Sequence, residues 1–271
     1  MSESAQPKAW QPFTPRGVSR FAQASVGRLL ALQLFFATIV AAATVWFVAH
    51  CYSHVILAAI QALPEEAQIS KQELRGLPAG LLAENRFLSI GVDGEESPFS
   101  GVGDLRLRLG EKQVKVCSLL GCIELAYPAG WTISLSRSDL EPRWGAWKPM
   151  ILAGLGLLTI AGLMMAWAGL ALLYFWIPKL ISFFADRELT GFGAWKLAGA
   201  AHMPGALLVV IVLLLYGARG FDLVRFLAFY LLHFPVGWFY LFAAPFFLPR
   251  VAAVAPKKRN PFRVKLNKSA T

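Results

Sequence analysis

Four runs of the chain carry no Asp, Glu, Lys or Arg: 29–49, 149–178, 197–218 and 226–249. Each supplies the roughly 20 apolar residues that take a helix across about 30 Å of hydrocarbon. The pattern predicts a four-helix α-helical transmembrane bundle, with spans at 29–49, 148–178, 197–218 and 226–249. Between the first two spans the pattern changes period. Leu105-Arg-Leu-Arg-Leu109 alternates strictly, Gly110-Glu-Lys makes a turn, and Val114-Lys-Val116 alternates again. Ile123-Glu-Leu125 and Trp131–Leu135 repeat the alternation, and Phe87–Val92 reads as an earlier strand. A helical stretch, His54–Leu63, and a polar turn at 65–72 precede them. Period two with turn residues between is the mark of a half-buried antiparallel sheet. Residues 50–147 are therefore expected to form a small extracytoplasmic β-rich (α+β) domain inserted between span 1 and span 2.

Charge sets the expected threading. The tail 1–28 holds Lys8, Arg16, Arg20 and Arg28 against Glu3, and the tail 250–271 holds seven Lys or Arg and no acid. With the loop 179–196, the segments assigned to the inside carry 14 basic residues against 3 acids. Residues 51–147 carry 12 acids and 9 basic residues. Lys and Arg favour the cytoplasmic side, so both termini are expected to be cytoplasmic and 219–225 to be a short outer loop. Span 1 reads as an uncleaved signal anchor, since no A-x-A site closes it and His50 precedes Cys51. Trp147 to Trp176 covers about 43 Å at 1.5 Å per residue, which matches a bilayer measured to its headgroups. Pro178 is expected to end or kink span 2, and Pro235 and Pro245 leave span 4 either continuous or broken.

Composition agrees: 56% of residues are hydrophobic and 15% charged, against about 25% charged in a soluble domain. The net charge of +10 lies mainly on the tails, where inside bias and anionic lipid account for it, so no nucleic-acid partner is expected. Thr14-Pro15 offers a helix start, with Val18, Phe21, Ala22 and Val26 along one side. An interfacial helix is expected there, with a solvated basic tail as the alternative.

Candidate chemistry is sparse. Cys117 and Cys122 flank Ser-Leu-Leu-Gly, read as a four-residue hairpin loop, where paired strands bring cysteines within disulfide reach. A disulfide is expected, with two buried thiols or a C-x4-C metal site as alternatives. No P-loop, dinucleotide fingerprint, H-E-x-x-H or G-x-S-x-G is present. Glu65-Glu66 reads as a solvated turn, because adjacent residues do not face one site. His202 and His233 are the intramembrane ionisable residues, and such residues invite a functional reading. Counted from the predicted span ends they differ in height by about 10 Å, which argues against shared ligation and for separate hydrogen-bonded histidines. Arg219, Asp222 and Arg225 form a charge cluster at the outer turn, and the spans are otherwise expected to hold no buried acid or lysine. Gly154, Gly156, Gly162, Gly169, Gly199 and Gly205 suit close helix packing or simply reflect the high glycine of membrane helices. No cofactor or metal is expected.

The order of Trp10-Gln-Pro-Phe13, a signal anchor, Leu63-Pro64, Val92-Asp93, a strand-rich stretch, then Ala201-His202-Met203-Pro204 opening a helix, is a recognisable layout. It resembles the uncharacterised bacterial polytopic membrane proteins typified by the one beside maltodextrin-utilisation genes, and more distantly the Yip1-like membrane proteins. The resemblance implies a bacterial cytoplasmic (inner) membrane and supplies no catalytic residue. The expected role is a non-enzymatic scaffold, assembly factor or sensor for envelope or transport machinery, with a membrane-protein partner or homo-oligomer. A transporter subunit or lipid-handling protein is the alternative, and an unrecognised membrane enzyme the second.

Overall fold

The computed structural model describes residues 11–94 and 101–251. Residues 1–10, 95–100 and 252–271 lie outside the described residues, and with them Trp10 and most of the basic tails.

Thr14 caps a short helix α1 (Pro15–Ser19), its hydroxyl accepting from the Gly17 amide at 3.0 Å. Ser25 caps α2 (Val26–Phe47). The helix passes through a π turn (Val48–Tyr52) into α3 (Ser53–Gln61), a continuous 36-residue helical stretch. Ser136 caps α4 (Arg137–Tyr174), whose 38 residues reach about 57 Å, more than a bilayer with headgroups. Both helices therefore start or end well beyond the span limits of 49 and 148 expected from charge. Helix α5 (Trp176–Phe184) follows, then α6 (Gly191–Ala201), α7 (Met203–Gly217), α8 (Leu223–Leu231) and α9 (His233–Ala243). Four helical stretches are long and apolar enough to cross a membrane: Val26–Gln61, Arg137–Phe184, Gly191–Gly217 and Leu223–Phe247.

Three of the interruptions obey one rule. A proline has no N–H, so the carbonyl four residues earlier loses its donor. Pro178 frees Tyr174, Pro204 frees Ala200 and Pro235 frees Leu231, and α4 ends at Tyr174, α6 at Ala201 and α8 at Leu231. Span 4 is thus broken, three residues ahead of Pro235. Pro142 and Pro149 lie exposed within α4, which continues through both.

Helix α2 packs on α4 and α7, and α6 is the most enclosed helix. The segment expected to lie in the membrane interface instead closes the far end of the bundle. Val18, Phe21 and Ala22 join the core with Leu29, Leu197, Met203 and Leu241. Lys196, assigned to an inner loop, is a buried residue of α6, with Nζ donating to the Ala24 carbonyl at 2.7 Å. Gln33 is buried too and donates to the Gly199 carbonyl at 3.3 Å. The expectation of no buried lysine in the spans is corrected, because Thr190 starts the helix earlier than the charge pattern suggests.

The region between α3 and α4 holds two sheets. One has order β2-β1-β8, from β1 (Gln68–Ser70), β2 (Glu73–Arg75) and β8 (Ile133–Ser134). The other has order β3-β4-β5-β6-β7, from β3 (Gly80–Glu84), β4 (Leu88–Val92), β5 (Leu105–Leu109), β6 (Gln113–Ser118) and β7 (Gly121–Ala126). The expected all-antiparallel sheet is corrected at one pair: β4 and β5 run parallel, Leu88 beside Leu105 and Val92 beside Leu109. Alternation reports burial and not direction, and a connection as long as 93–104 suffices for a parallel crossover. Residues 131–135, expected as a strand, contribute only β8, which pairs with β1. Leu88 and Ile90 pack on Val55 and Ala59 of α3.

The sheet is tied to the helix ends beneath it. Phe87 meets Phe47 and Tyr216 edge-on, at 5.6 and 5.0 Å between ring centres. The Tyr216 hydroxyl donates to Asp104 at 2.7 Å, and Asn85 Nδ2 donates to the Cys51 carbonyl at 2.7 Å inside the π turn. At the distal end, the Tyr127 hydroxyl donates to the Gly110 carbonyl at 2.9 Å, and burial pushes its pKa from 10 up to about 12. The folded state thus holds this proton more tightly than the unfolded chain, so its contribution is complete below pH 10 and lost as pH rises towards 12. Tyr127→Phe should cost about 1 kcal/mol at neutral pH and remove that alkaline loss, read by urea melts of the sheet region at two pH values.

Candidate functional site

Two of the helix breaks just described meet around one space. A cleft of 790 Å³ is lined by Val40 and Thr44 of α2, by Leu163, Ala166, Trp167 and Gly169 of α4, by Ala206, Val209 and Leu213 of α7, and by Phe226 and Tyr230 of α8. Its remaining wall is the pair of helix breaks, His202 between α6 and α7 and His233 with Phe234 at the start of α9. Helix α4 packs closely on α2, α3, α5 and α6, while α8 packs closely on α7 and α9. Helices α4 and α8 thus both line the cleft without packing closely on each other.

The two breaks lock into each other through glycines. A methyl group on Gly237 of α9 would sit 2.6 Å from His202 Nδ1, and one on Gly205 of α7 would sit 2.8 Å from the His233 carbonyl oxygen. Each histidine thus rests against the glycine of the other helix. His202 meets Gly237, four residues after His233, so the two histidines stand about one helical turn apart, nearer than the separation of about 10 Å expected from the span ends. Eleven residues of α6 precede His202, not the five counted from Leu197, so it stands deeper in the bundle and reaches the same cleft as His233.

Polar groups on the wall are few. The hydroxyls of Thr44 and Thr159 bond back to the Val40 and Leu155 carbonyls of their own helices. His233 Nδ1 donates to the Tyr230 carbonyl. A carbonyl only accepts, so Nδ1 carries the proton of that bond. His202 is 7% exposed, its ring lies 5.8 Å from that of Tyr174, and its Nε2 is a buried atom with no hydrogen-bond partner. Buried polar side chains are nearly always satisfied; Nε2 is closed off from the cleft surface, although His202 lines the cleft, so a small turn of the ring would bring it to a group held there. Cavities of about 300–1,000 Å³ with apolar walls and a few convergent polar groups are the usual form of small-molecule sites.

The other sequence candidates lie elsewhere. Cys117 and Cys122 are joined, with sulfurs 2.06 Å apart, across a two-residue turn, since Ser118 pairs with Gly121. The four-residue loop is corrected accordingly. Asp222 caps α8, accepting from the Arg225 amide at 2.7 Å and pairing with Arg225 at 3.5 Å. Arg219 offers its carbonyl to Arg86, which also donates to the Phe221 carbonyl at 2.6 Å. These three charges order the turn and do not face the cleft. Among the described residues no three His, Cys, Asp or Glu gather as a metal group.

Sequence reasoning did not single out Tyr230, Phe226, Trp167, Gly237 or Arg86. The cleft's signal was present as a repeat: His202-Met203-Pro204-Gly205 and His233-Phe234-Pro235-Val236-Gly237 both place His-x-Pro ahead of a glycine. No family model, curated protein or solved structure matches the chain.

Proposed function

We propose that this is a non-enzymatic integral membrane protein that holds an amphipathic, lipid-like molecule in the cleft between α4 and α8. The observation that carries the reading is the unsatisfied His202 Nε2 at the break of α6 and α7, beside an apolar cleft of 790 Å³. Broken helices at mid-membrane commonly build such sites, because their freed backbone faces a cavity. The acyl part of the ligand lies along Leu163, Trp167, Val209 and Phe226, and its hydroxyl, carbonyl or carboxyl group meets His202 and His233. The charge pattern supports a bacterial cytoplasmic membrane with both termini inside and the sheets outside. The basic tails then lie against anionic lipid. The resemblance to the maltodextrin-type membrane proteins supplies no activity, and the reading rests on the cleft.

A sensor role in an envelope or transport assembly is favoured by one contact. Helix α7 lines the cleft through Ala206, Val209 and Leu213 and carries, one residue before its end, Tyr216, which donates to Asp104 of the sheet region. Occupancy below is thereby linked to the sheets above, where a membrane-protein partner or a second copy would read it.

The test uses cis-parinaric acid as probe, with the tryptophans as energy donors, Trp167 on the cleft wall among them, on the full chain in mild detergent. His202→Leu should weaken binding about tenfold, the equivalent of one hydrogen bond of about 1.4 kcal/mol. The same change should leave thermal stability equal or higher, because it removes a buried atom that lacks a partner. Unchanged probe affinity would refute the site.

A further inference from the structure

The β6–β7 hairpin ends in Leu119 and Leu120, 61% and 88% exposed. A two-residue hairpin turn ordinarily takes Gly, Asn or Asp, so two leucines at its tip want a nonaqueous surrounding. The strand register says where that tip lies. Leu88 pairs with Leu105, Arg106 with Cys117, and Cys117 with Cys122. Ser118 therefore stands in the row of Leu88 and Leu105, and the tip stands one row beyond, level with Phe87 and Asp104. That row is the one seated on the membrane helices. Asp104 accepts from Tyr216, one residue before the end of α7, and Phe87 packs on Phe47 at the end of α2.

The tip is thus level with the ends of two apolar helices and displaced sideways from β5 by roughly 5–10 Å, the spacing of one or two strands. Among the described residues neither β6 nor β7 packs closely on any helix. The space beneath the tip lies beside the bundle, where lipid surrounds a membrane-spanning protein. The Cys117–Cys122 bond closes the ladder immediately behind the tip, so the hairpin enters as a rigid unit. Glu111, in the turn at the other end of β5 and β6, is remote from that surface and donates no side chain to it.

We infer that the β6–β7 tip is a membrane anchor that inserts Leu119 and Leu120 into the lipid leaflet on the sheet side. The inference rests on the chain spanning a bilayer, and is independent of what fills the cleft.

The experiment places p-benzoylphenylalanine at position 120, and separately at position 111, in the full chain. Each is reconstituted in vesicles of phosphatidylethanolamine and phosphatidylglycerol, irradiated, and its adducts identified by mass spectrometry. Non-reducing peptide mapping confirms that Cys117 and Cys122 remain joined, so a failure is not misfolding. The expected result is a phospholipid adduct at 120 and none at 111. Absence of a lipid adduct at 120, equal adducts at both positions, or a crosslink from 120 to a second copy of the chain overturns the inference. Binding of cis-parinaric acid by the same preparations shows whether the cleft reading stands when the anchor does not.

Discussion

Gly205→Ala should disrupt the cleft through one added methyl group. The added carbon would lie 2.8 Å from the His233 carbonyl oxygen, a backbone atom that moves only if the α8–α9 break moves with it. Two effects oppose each other here. Alanine is favoured over glycine inside a helix by about 0.5–1 kcal/mol, whereas overpacking a fitted contact costs about 1–3 kcal/mol. The contact wins, because the clash is with backbone and the neighbouring notch, Gly237 on His202, is tighter still and leaves no room to shift. Thermal unfolding in detergent should show destabilisation, with loss of most cis-parinaric acid binding. Gly162→Ala, where a methyl group meets nothing within 4 Å, should show neither loss and supplies the comparison. Equal behaviour of the two variants would mean that the interlocked breaks do not shape the site.

Filling the cleft should abolish binding while sparing the fold. Gly169 lines the cleft, and a carbon added there meets nothing within 4 Å. Gly169→Trp gains helix propensity and directs an indole into space that the ligand would otherwise occupy. Its melting temperature should equal or exceed that of the wild type, and cis-parinaric acid binding should fall below detection. Retained binding in a folded Gly169→Trp protein would place the probe elsewhere.

The parts of the fold that depend on local pattern could be read from the sequence. Charge-free runs marked the four membrane-length helical stretches, alternation marked β5, β6 and β7, and Thr14-Pro15 marked the start of α1. What could not be read depends on partners distant along the chain. Alternation in Phe87–Val92 and Leu105–Leu109 is the same for parallel and antiparallel neighbours, so the β4–β5 direction was invisible. Lys196 looked like a loop cation because burial of an ammonium group requires an acceptor, the Ala24 carbonyl, that only folding brings near. Val18 and Phe21 looked like an interfacial face because their apolar spacing suits lipid and a protein core equally.

The candidate site divides the same way. His202 and His233 stood out as polar residues in apolar runs, yet their separation was overestimated because heights were counted from the charge boundaries of the spans. The proline rule would have corrected this, since each break falls where a proline strips the carbonyl four residues earlier. Reading Pro204 and Pro235 as paired breaks, each with a histidine two residues ahead, places both histidines at junctions. The glycines that interlock them, Gly205 and Gly237, meet only across two helices, and no local signal pairs them.

The most direct test of the cleft as a lipid site is native mass spectrometry of the wild-type chain and Gly169→Trp, both purified from the same native membranes in mild detergent. The account predicts a lipid-like molecule retained on the wild type, in one-to-one ratio, and absent from the filled variant. The same bound species on both proteins, or none on the wild type, would contradict it.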